Sequence, residues 1–185
     1  GIFVNGGSAD NTGSISSTGD GASAISVASG TAYNQTNITV DGENSIGMSA
    51  SGGTATNGKT VVTVIEGEGN EEDQGITVSG TQGVGMQSTG SGNILNNQGA
   101  TITISGTQGV GMLSNGSGST QNQGSIIISE AAEDATGMKA AQGNAQNQAQ
   151  ITVNASGASG MFADGGSVTN AAGATITLSS GNSVG

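Results

Sequence analysis

The chain has 185 residues and a formal net charge of −11, and it contains no proline, cysteine, histidine or tryptophan. Zero cysteines exclude a disulfide scaffold and a thiolate metal site. Lys59 and Lys139 are the only basic residues, which argues against nucleic acid or an anionic membrane surface as a partner, because little positive charge is available to neutralise phosphates. No apolar run approaches the roughly 20 residues of a membrane span, so direct membrane insertion is not predicted.

Seven anchor positions follow one another along the chain. Each of the five methionines follows a glycine, and the octet SGTQGVGM occurs twice, at 79–86 and 105–112. With two isoleucines, the methionines form a series with spacings of 23, 23, 38, 26, 26 and 23 residues: Ile2, Ile25, Met48, Met86, Met112, Met138 and Met161. Such a period predicts a solenoid. We expect each glycine before methionine to lie at a corner with a bend or a positive φ, and each methionine to turn inward.

An asparagine follows each anchor by nine or ten residues. The seven residues are Asn11, Asn34, Asn57, Asn96, Asn122, Asn147 and Asn170. Two residues before each of these asparagines lies another recurring position, whose side chains are mostly small or apolar. Its residues are Ala9, Ala32, Ala55, Ile94, Thr120, Ala145 and Val168. An asparagine at the same place in every repeat predicts a ladder of side-chain amides that hydrogen-bond along the axis of a stack.

A short alternating segment closes each repeat. The segments begin at Ile15 (ISS), Ile38 (ITV), Val61 (VVTV), Ile102 (ITI), Ile126 (III), Ile151 (ITV) and Ile176 (ITL). Alternation of this kind is typical of a strand with isoleucine on one face and threonine on the other. One repeat cannot bury its apolar face alone, but stacked repeats join these residues into a continuous core.

The pattern predicts an all-β chain that folds as a right-handed, three-sided parallel β-helix. Residues 1–185 form a single solenoid segment of a longer rod, with about seven coils of 23–26 residues, and one coil carries a 15-residue insertion within the acidic loop 65–80. Seven coils at about 4.8 Å each would make a rod roughly 34 Å long. A left-handed helix of hexapeptides fits less well, and a trimeric β-roll or prism is the main competing fold.

The pattern N-x-G-x-I-x-V … G-M, as in NQGSIIISEAAEDATGM (Asn122–Met138), resembles the passenger domains of type V autotransporter adhesins, especially the fusobacterial type. Gly/Asn/Thr-rich β-helices also occur in filamentous haemagglutinin-like exoproteins and phage fibres. The resemblance covers the whole chain and implies secretion across the outer membrane to the bacterial cell surface. It also implies an adhesin stalk or fibre subunit in cell adhesion, aggregation or biofilm contact. The partner would be a host or bacterial surface protein or glycan.

The ends of the rod are expected to be uncapped, since the first segment, GIF, opens in mid-repeat and the last, NSVG, stops one step before the next anchor. Terminal repeats of solenoids normally need a polar cap. We therefore expect either further coils or end-to-end stacking of copies of the chain into a filament.

No enzymatic activity, catalytic residue or cofactor is predicted, because the chain has no histidine or cysteine to act as a base or nucleophile. A carbohydrate-active β-helix is the leading alternative function. Aromatic platforms for sugars are scarce, and Phe3 and Phe162 share one coil position that favours an outward pair or end packing. An ice-binding solenoid is a further alternative. Its threonine array, as in TITIS, is expected to be broken by the residues Ser125, Ile127, Gln150 and Asp41.

Eleven of the 13 acidic residues fall between a third segment and the next anchor, where we expect one corner of the rod. This predicted interaction ridge consists of Asp20, Asp41, Glu43, Glu66, Glu68, Glu71, Glu72, Asp73, Glu130, Glu133 and Asp134. One interpretation is a solubilising edge that discourages lateral aggregation. The other is a surface that binds a basic partner or a hard cation such as Ca²⁺, with Glu68, Glu71, Glu72 and Asp73 as candidate ligands.

Overall fold

Residues 1–58 and 75–185 are described by a computed structural model, and they form seventeen β-strands, numbered in chain order, with no helix that could cross a membrane. Ten strands make the first sheet, which bends around a corner of the rod. They are β1 (Ile2–Asn11), β3 (Ser23–Asn34), β5 (Ile46–Ala50), β6 (Thr54–Asn57), β8 (Val84–Gly90), β9 (Asn93–Asn96), β11 (Val110–Asn122), β13 (Thr136–Asn147), β15 (Ser159–Ala163) and β16 (Ser167–Asn170).

The second sheet is built from the third segment of each coil. Its seven strands are β2 (Ile15–Ser17), β4 (Asn37–Val40), β7 (Gly75–Val78), β10 (Thr101–Ile104), β12 (Ser125–Ile128), β14 (Gln150–Val153) and β17 (Thr175–Leu178). Each strand pairs in parallel with the equivalent strand of the next coil, so the order β2-β4-β7-β10-β12-β14-β17 follows the chain. Consecutive coils of one chain therefore form the sheets, as the β-helix predicts and the three-chain prism does not.

Register between coils places equivalent residues in straight columns along the rod. Met86 pairs with Met112, Met112 with Met138, and Met138 with Met161. The predicted anchors therefore share one column, and the all-β parallel solenoid is confirmed. Its right-handed sense stays a prediction, in line with the strong preference of parallel crossover connections for that hand.

The core is a thin apolar interior between the two sheets. Anchor methionines from the first sheet and isoleucines from the second, such as Met112, Ile102 and Ile126, have no solvent-accessible surface. Thr103 lies between the buried residues Ile102 and Ile104 on the opposite face of β10, as the alternation predicts. Strands buried on one face in this way are stabilised chiefly by removing their apolar side chains from water.

The predicted asparagine ladder is confirmed along its full length. Each side-chain Nδ2 donates to Oδ1 of the next asparagine in the series Asn11, Asn34, Asn57, Asn96, Asn122, Asn147, Asn170, over distances of 2.7–2.9 Å. The amide orientation is fixed by a second bond, because Asn34 Nδ2 also donates to the Thr36 carbonyl and Asn147 Nδ2 to the Ala149 carbonyl. These side chains would be costly to bury alone, and here they satisfy one another.

The prediction for the glycines before methionine is wrong. Gly111 lies inside strand β11, is buried, and is not among the residues with positive φ. A Cβ atom on Gly111 would lie 2.5 Å from the Gly137 carbonyl oxygen and 3.1 Å from side-chain carbons of Ile104 and Ile126. Glycine is therefore needed here for the close approach of the coils and the packing of the two sheets, and not for a bend.

Left-handed backbone occurs instead four residues before each of the six anchors from Ile25 to Met161. These residues are Gly21, Asn44, Gln82, Gln108, Asp134 and Gly157, and Asn182 occupies the same place in the turn after β17; φ lies between 54° and 72° for all seven. Each is the third residue of a turn, as where the Gly109 N–H donates to the Gly106 carbonyl at 3.2 Å. Left-handed φ at the third position is typical of a type II β-turn. The sequence pattern does not reveal this column, because few of its members are glycine.

The third coil differs from the prediction in the place of its insertion. Strand β7 (Gly75–Val78) pairs with both β4 and β10, so it occupies the place that the pattern gave to the VVTV segment. Val61 and residues 65–74 of the predicted loop lie outside the described residues, whereas residues 75–78 belong to the sheet. The extra residues therefore connect β6 to β7, and the predicted boundary at residue 80 is too far along the chain.

Candidate interaction surface

The turns that lead from the second sheet back to the first are held by bonds between coils. The N–H of the left-handed residue donates to a carbonyl of the next coil, as from Gly21 to Glu43 at 2.8 Å and from Gln82 to Thr107 at 2.9 Å. The second residue of each turn points into solvent at a fixed place along the rod. This position carries Asp20, Glu43, Thr81, Thr107, Glu133, Ser156 and Gly181.

Acidic residues at these turns form two separate patches. Asp20, Asp41 and Glu43 belong to the first two coils, where the Glu43 N–H donates to Asp20 Oδ1 at 2.9 Å and the Ser79 hydroxyl donates to Asp41 Oδ1 at 2.8 Å. A second patch of Glu130, Glu133 and Asp134 lies in the turn after β12. The two turns between the patches, 79–83 and 105–109, carry no charge. The described part of the predicted ridge is therefore not continuous.

The other five acidic residues of the predicted ridge lie outside the described residues. They are Glu66, Glu68, Glu71, Glu72 and Asp73. In the chain they fall between β6 and β7, whereas the turn patches follow strands of the second sheet. For these five residues the shared corner stays a prediction, although it was located relative to VVTV, whose place in the sheet is taken by β7. Within residues 1–58 and 75–185, no group of three or more acidic side chains could hold a metal ion.

The outer face of the second sheet is uncharged along its central column. Register aligns Ser16, Thr39, Thr77, Thr103, Ile127, Thr152 and Thr177 in that column. Ser125 and Gln150 belong to the column before it, since they pair with Thr101 and Thr175. Of the four residues predicted to break the threonine array, only Ile127 interrupts this column. Ser125 and Gln150 interrupt the outward column of Thr101 as predicted, and only the central column keeps hydroxyls about 4.8 Å apart along most of the rod.

An aromatic residue stands at each end of one outward column of the first sheet. The column runs Phe3, Ser26, Ser49, Gln87, Leu113, Lys139 and Phe162. Phe3 is 68% exposed and Phe162 is 47% exposed. The shared coil position is confirmed, but the two rings lie in the first and seventh coils and do not form a pair within one copy. Lys139 Nζ lies 5.6 Å from the Phe162 ring centroid and 3.6 Å from Asp164 Oδ2.

The outer surface of the described residues thus offers hydroxyl, amide and carboxylate groups on a rigid, repeating backbone. Lys139 is the only cation among these residues, and it is already engaged by Asp164 and Phe162. Hydroxyls and amides in straight columns can make many weak hydrogen bonds to an extended partner.

The chain was compared with families, curated proteins and solved structures. A model of the BigA third pectate lyase-like domain family matches residues 3–185. The comparisons with curated proteins and with solved structures give no match. BigA domains are β-helix domains of bacterial surface proteins, which agrees with the parallel coils and the repeat described above. Because the match covers nearly the whole chain, the protein belongs to the BigA third pectate lyase-like domain family.

Proposed function

We propose that this chain is a non-enzymatic adhesive rod on the surface of a bacterium, which presents its outer columns to a host or bacterial surface protein or glycan. The observation that carries the proposal is the unbroken asparagine ladder beneath regular outer faces. Such a core holds every coil in one register, so that the same chemical groups recur along the rod. A long partner could then be bound by many equivalent weak contacts.

Export and display are part of the same proposal. The repeat resembles autotransporter adhesin passengers of the fusobacterial type, and the family consists of surface-protein domains. A chain without cysteine would cross an outer-membrane pore without disulfides that hinder its passage. Each coil contacts only its neighbours, so the rod could form progressively as the chain emerges.

Absence of catalysis is supported by the residue types in the full chain. It has no histidine, no cysteine and no arginine, so the usual bases, thiol nucleophiles and guanidinium groups of polysaccharide-cleaving enzymes are missing. Two carboxylates alone can hydrolyse a glycosidic bond if they face each other across it. The acidic residues of the two turn patches instead lie side by side on solvent-exposed turns.

A direct experiment is the binding of the purified chain, displayed on beads, to bacterial and mammalian cells. We expect beads that carry the chain to adhere, and a variant with a charged second-sheet face (Thr39→Lys, Thr103→Lys, Thr152→Lys) to adhere at least fivefold less. The matched control introduces three lysines in other outward positions (Ser26→Lys, Gln87→Lys, Thr169→Lys). Equal binding by wild type and both variants, or no binding by any of them, would contradict an adhesive role for this face.

A second candidate function, binding or cleavage of a polysaccharide, is favoured by the pectate lyase-like character of the family. A glycan array with a reducing-sugar assay separates it from protein-mediated adhesion. Binding to one class of glycan without release of reducing ends would retain a non-enzymatic role. Release of reducing ends would overturn it.

A further inference from the structure

The outer face of the second sheet presents three parallel columns of side chains. Amides and hydroxyls predominate in the columns on either side of the central one. These two columns are Asn37, Gly75, Thr101, Ser125, Gln150 and Thr175 on one side, and Asp41, Ser79, Ser105, Ser129, Asn154 and Ser179 on the other. Asp41 is the only charged residue among these described residues, so the face is nearly neutral on a chain whose net charge is −11.

The central column has hydroxyl groups that are free to bind a ligand in three successive coils. The side chains of Thr39, Thr77 and Thr103 make no hydrogen bond to another described residue. In the neighbouring column, by contrast, the Ser105 hydroxyl donates to the Val78 carbonyl at 3.3 Å. A free hydroxyl can both donate and accept a hydrogen bond. The central column can therefore bind a ligand without first breaking hydrogen bonds within the protein.

The size of the face fits a narrow ligand better than a protein. Outward columns on one strand are about 7 Å apart and seven coils are about 34 Å long, so the three columns cover roughly 480 Å². A stable protein–protein interface needs about 800 Å² on each partner, and aromatic residues often dominate its binding energy. The three columns contain no aromatic residue. A single extended chain that is rich in hydroxyl groups matches both the shape and the chemistry of the face.

We propose that this face binds an uncharged polysaccharide, whose chain lies along the rod over the central column. The inference rests on the proposed adhesive function and names the class of its partner. Sugar hydroxyls can donate to and accept from the free threonine hydroxyls of successive coils. They can also donate to the carboxylate of Asp41, whose Oδ1 accepts from the Ser79 hydroxyl at 2.8 Å.

An anionic polysaccharide should not bind this face. The three columns carry no cation that could pair with a carboxylate or a sulfate group, and Asp41 would repel either of them. The net charge of −11 on the whole chain adds repulsion at longer range. Selection of neutral over anionic sugar chains is therefore built into the charge distribution of the rod.

The affinity of the face should depend on the length of the sugar chain. Each hydroxyl contact replaces a contact with water, so its net contribution is small. Contacts in successive coils reinforce one another when they belong to one ligand. Ile127 interrupts the central column after Thr103, so the longest run of hydroxyls in it, from Ser16 to Thr103, spans four coils. We expect affinity to rise with oligosaccharide length and to level off once the ligand covers this run.

Native electrophoresis in gels that contain a polysaccharide tests the proposal, because the chain migrates as an anion. The neutral probes are β-glucan, mannan, galactan and methyl-esterified polygalacturonate, and unesterified polygalacturonate is the anionic match of the last. We expect at least one neutral probe to retard the chain, increasingly with probe concentration, and the unesterified polymer to leave its mobility unchanged. Retardation by none of the neutral probes, or retardation by the unesterified polymer, would overturn the proposal.

Two triple variants identify the groups that bind. Thr39→Val with Thr77→Val and Thr103→Val removes three hydroxyls, keeps the shape of the side chains and should weaken the retardation at least tenfold. Serine at the same three positions keeps the hydroxyls, loses the methyl groups and should retain most of the retardation. Undiminished retardation of the valine variant, or equal losses in the two variants, would contradict binding through the hydroxyl groups.

The matched control replaces three outward threonines of the first sheet, as Thr31→Val with Thr54→Val and Thr169→Val, and it should be retarded like the wild type. Circular dichroism verifies that every variant is folded. Adhesion of beads to cells is a separate measurement. Bead adhesion that the valine variant loses, without retardation by any neutral probe, would retain an adhesive rod with a protein partner and overturn polysaccharide binding. Retardation without adhesion would support polysaccharide binding and contradict the adhesive function.

Discussion

Asn96 donates its side-chain amide to Oδ1 of Asn122 at 2.8 Å, and neither residue has accessible surface. The bond joins the fourth and fifth coils at the middle of the ladder. Asn122 in turn donates to Asn147, so a single side chain satisfies groups on both neighbouring coils. Replacing one asparagine of the ladder therefore disturbs hydrogen bonds in both neighbouring coils as well as in its own coil.

Replacing Asn122 by leucine should lower the free energy of unfolding by roughly 2–5 kcal/mol, because it leaves a buried amide N–H of Asn96 without its acceptor and removes one of the two N–H groups that donate to Asn147 Oδ1. Chemical denaturation followed by circular dichroism measures the change. The exposed Asn115→Leu variant is the control, with an expected loss below about 0.5 kcal/mol. Similar losses for the two variants would mean that the ladder does not stabilise the fold.

Replacing Ile102 by aspartate should cost about 4 kcal/mol or more, because it buries an unpaired charge between two coils. Thr103→Asp, the neighbouring outward residue on the same strand, should change stability by about 0.5 kcal/mol or less. Thermal melting of both variants provides the comparison. Comparable melting temperatures would contradict the inward and outward assignment of β10.

Replacing Gly111 by valine should destabilise the rod by about 3 kcal/mol or more through overpacking, since an added Cβ meets a carbonyl oxygen and two isoleucines. Gly111→Ala should cost less, because Ala24 occupies the equivalent position in the second coil. Gly13→Val is the control, since a Cβ there meets nothing within 4 Å. If Gly111→Val and Gly13→Val have equal denaturation midpoints, close packing is not the reason for glycine before the anchor.

Gln108→Gly should raise the free energy of unfolding by roughly 0.5–1 kcal/mol, because a left-handed conformation strains residues with a Cβ. Gln108 has φ of 57° at the third position of its turn. Thr107→Gly, one residue earlier, relieves no such strain and should instead lower stability. Urea denaturation of both variants measures the two changes in the free energy of unfolding. A loss of stability in both variants would show that the turn is not strained.

The acidic residues before β7 give a prediction about ligand binding. Exchange of Glu68, Glu71 and Glu72 for glutamine, together with Asp73 for asparagine, should weaken adhesion to a basic partner and abolish any rise in melting temperature with Ca²⁺. The fold itself should be retained, as judged by circular dichroism. Asp20→Asn with Glu43→Gln, in a turn patch, is the control. If neither Ca²⁺ nor chelator shifts the melting temperature, and adhesion survives, these carboxylates only solubilise the rod.

Periodic spacing explains why most of the fold could be predicted. Anchors, asparagines and isoleucines recur in one frame, and a solenoid places whatever recurs into a column. The ladder from Asn11 to Asn170 and the inward position of Ile102 followed from that frame alone. A column whose residue type varies, such as the left-handed position occupied by Asn44, Gln108 and Gly157, has no such signature.

The third strand of the third coil could not be chosen by alternation, because both VVTV and GITV alternate. The number of residues between each segment and the next anchor does distinguish them. The leading isoleucine of the third strand lies ten residues before the next anchor in most coils, as Ile102 does before Met112, and Ile76 meets this rule before Met86. The acidic residues 66–73 were also located relative to VVTV, so their place in the predicted ridge stays a prediction.

Identical register in every coil also makes the length of the rod adjustable in whole layers. Residues 87–112 comprise one complete period of 26 residues, and the two copies of SGTQGVGM end at its borders. Recombination between those copies would remove or duplicate one coil and leave Met86 or Met112 in the same column. The asparagine ladder and both sheets would then continue without a break across the removed or added coil. A gene built in this way can alter the length of its product by whole coils without altering how that product folds.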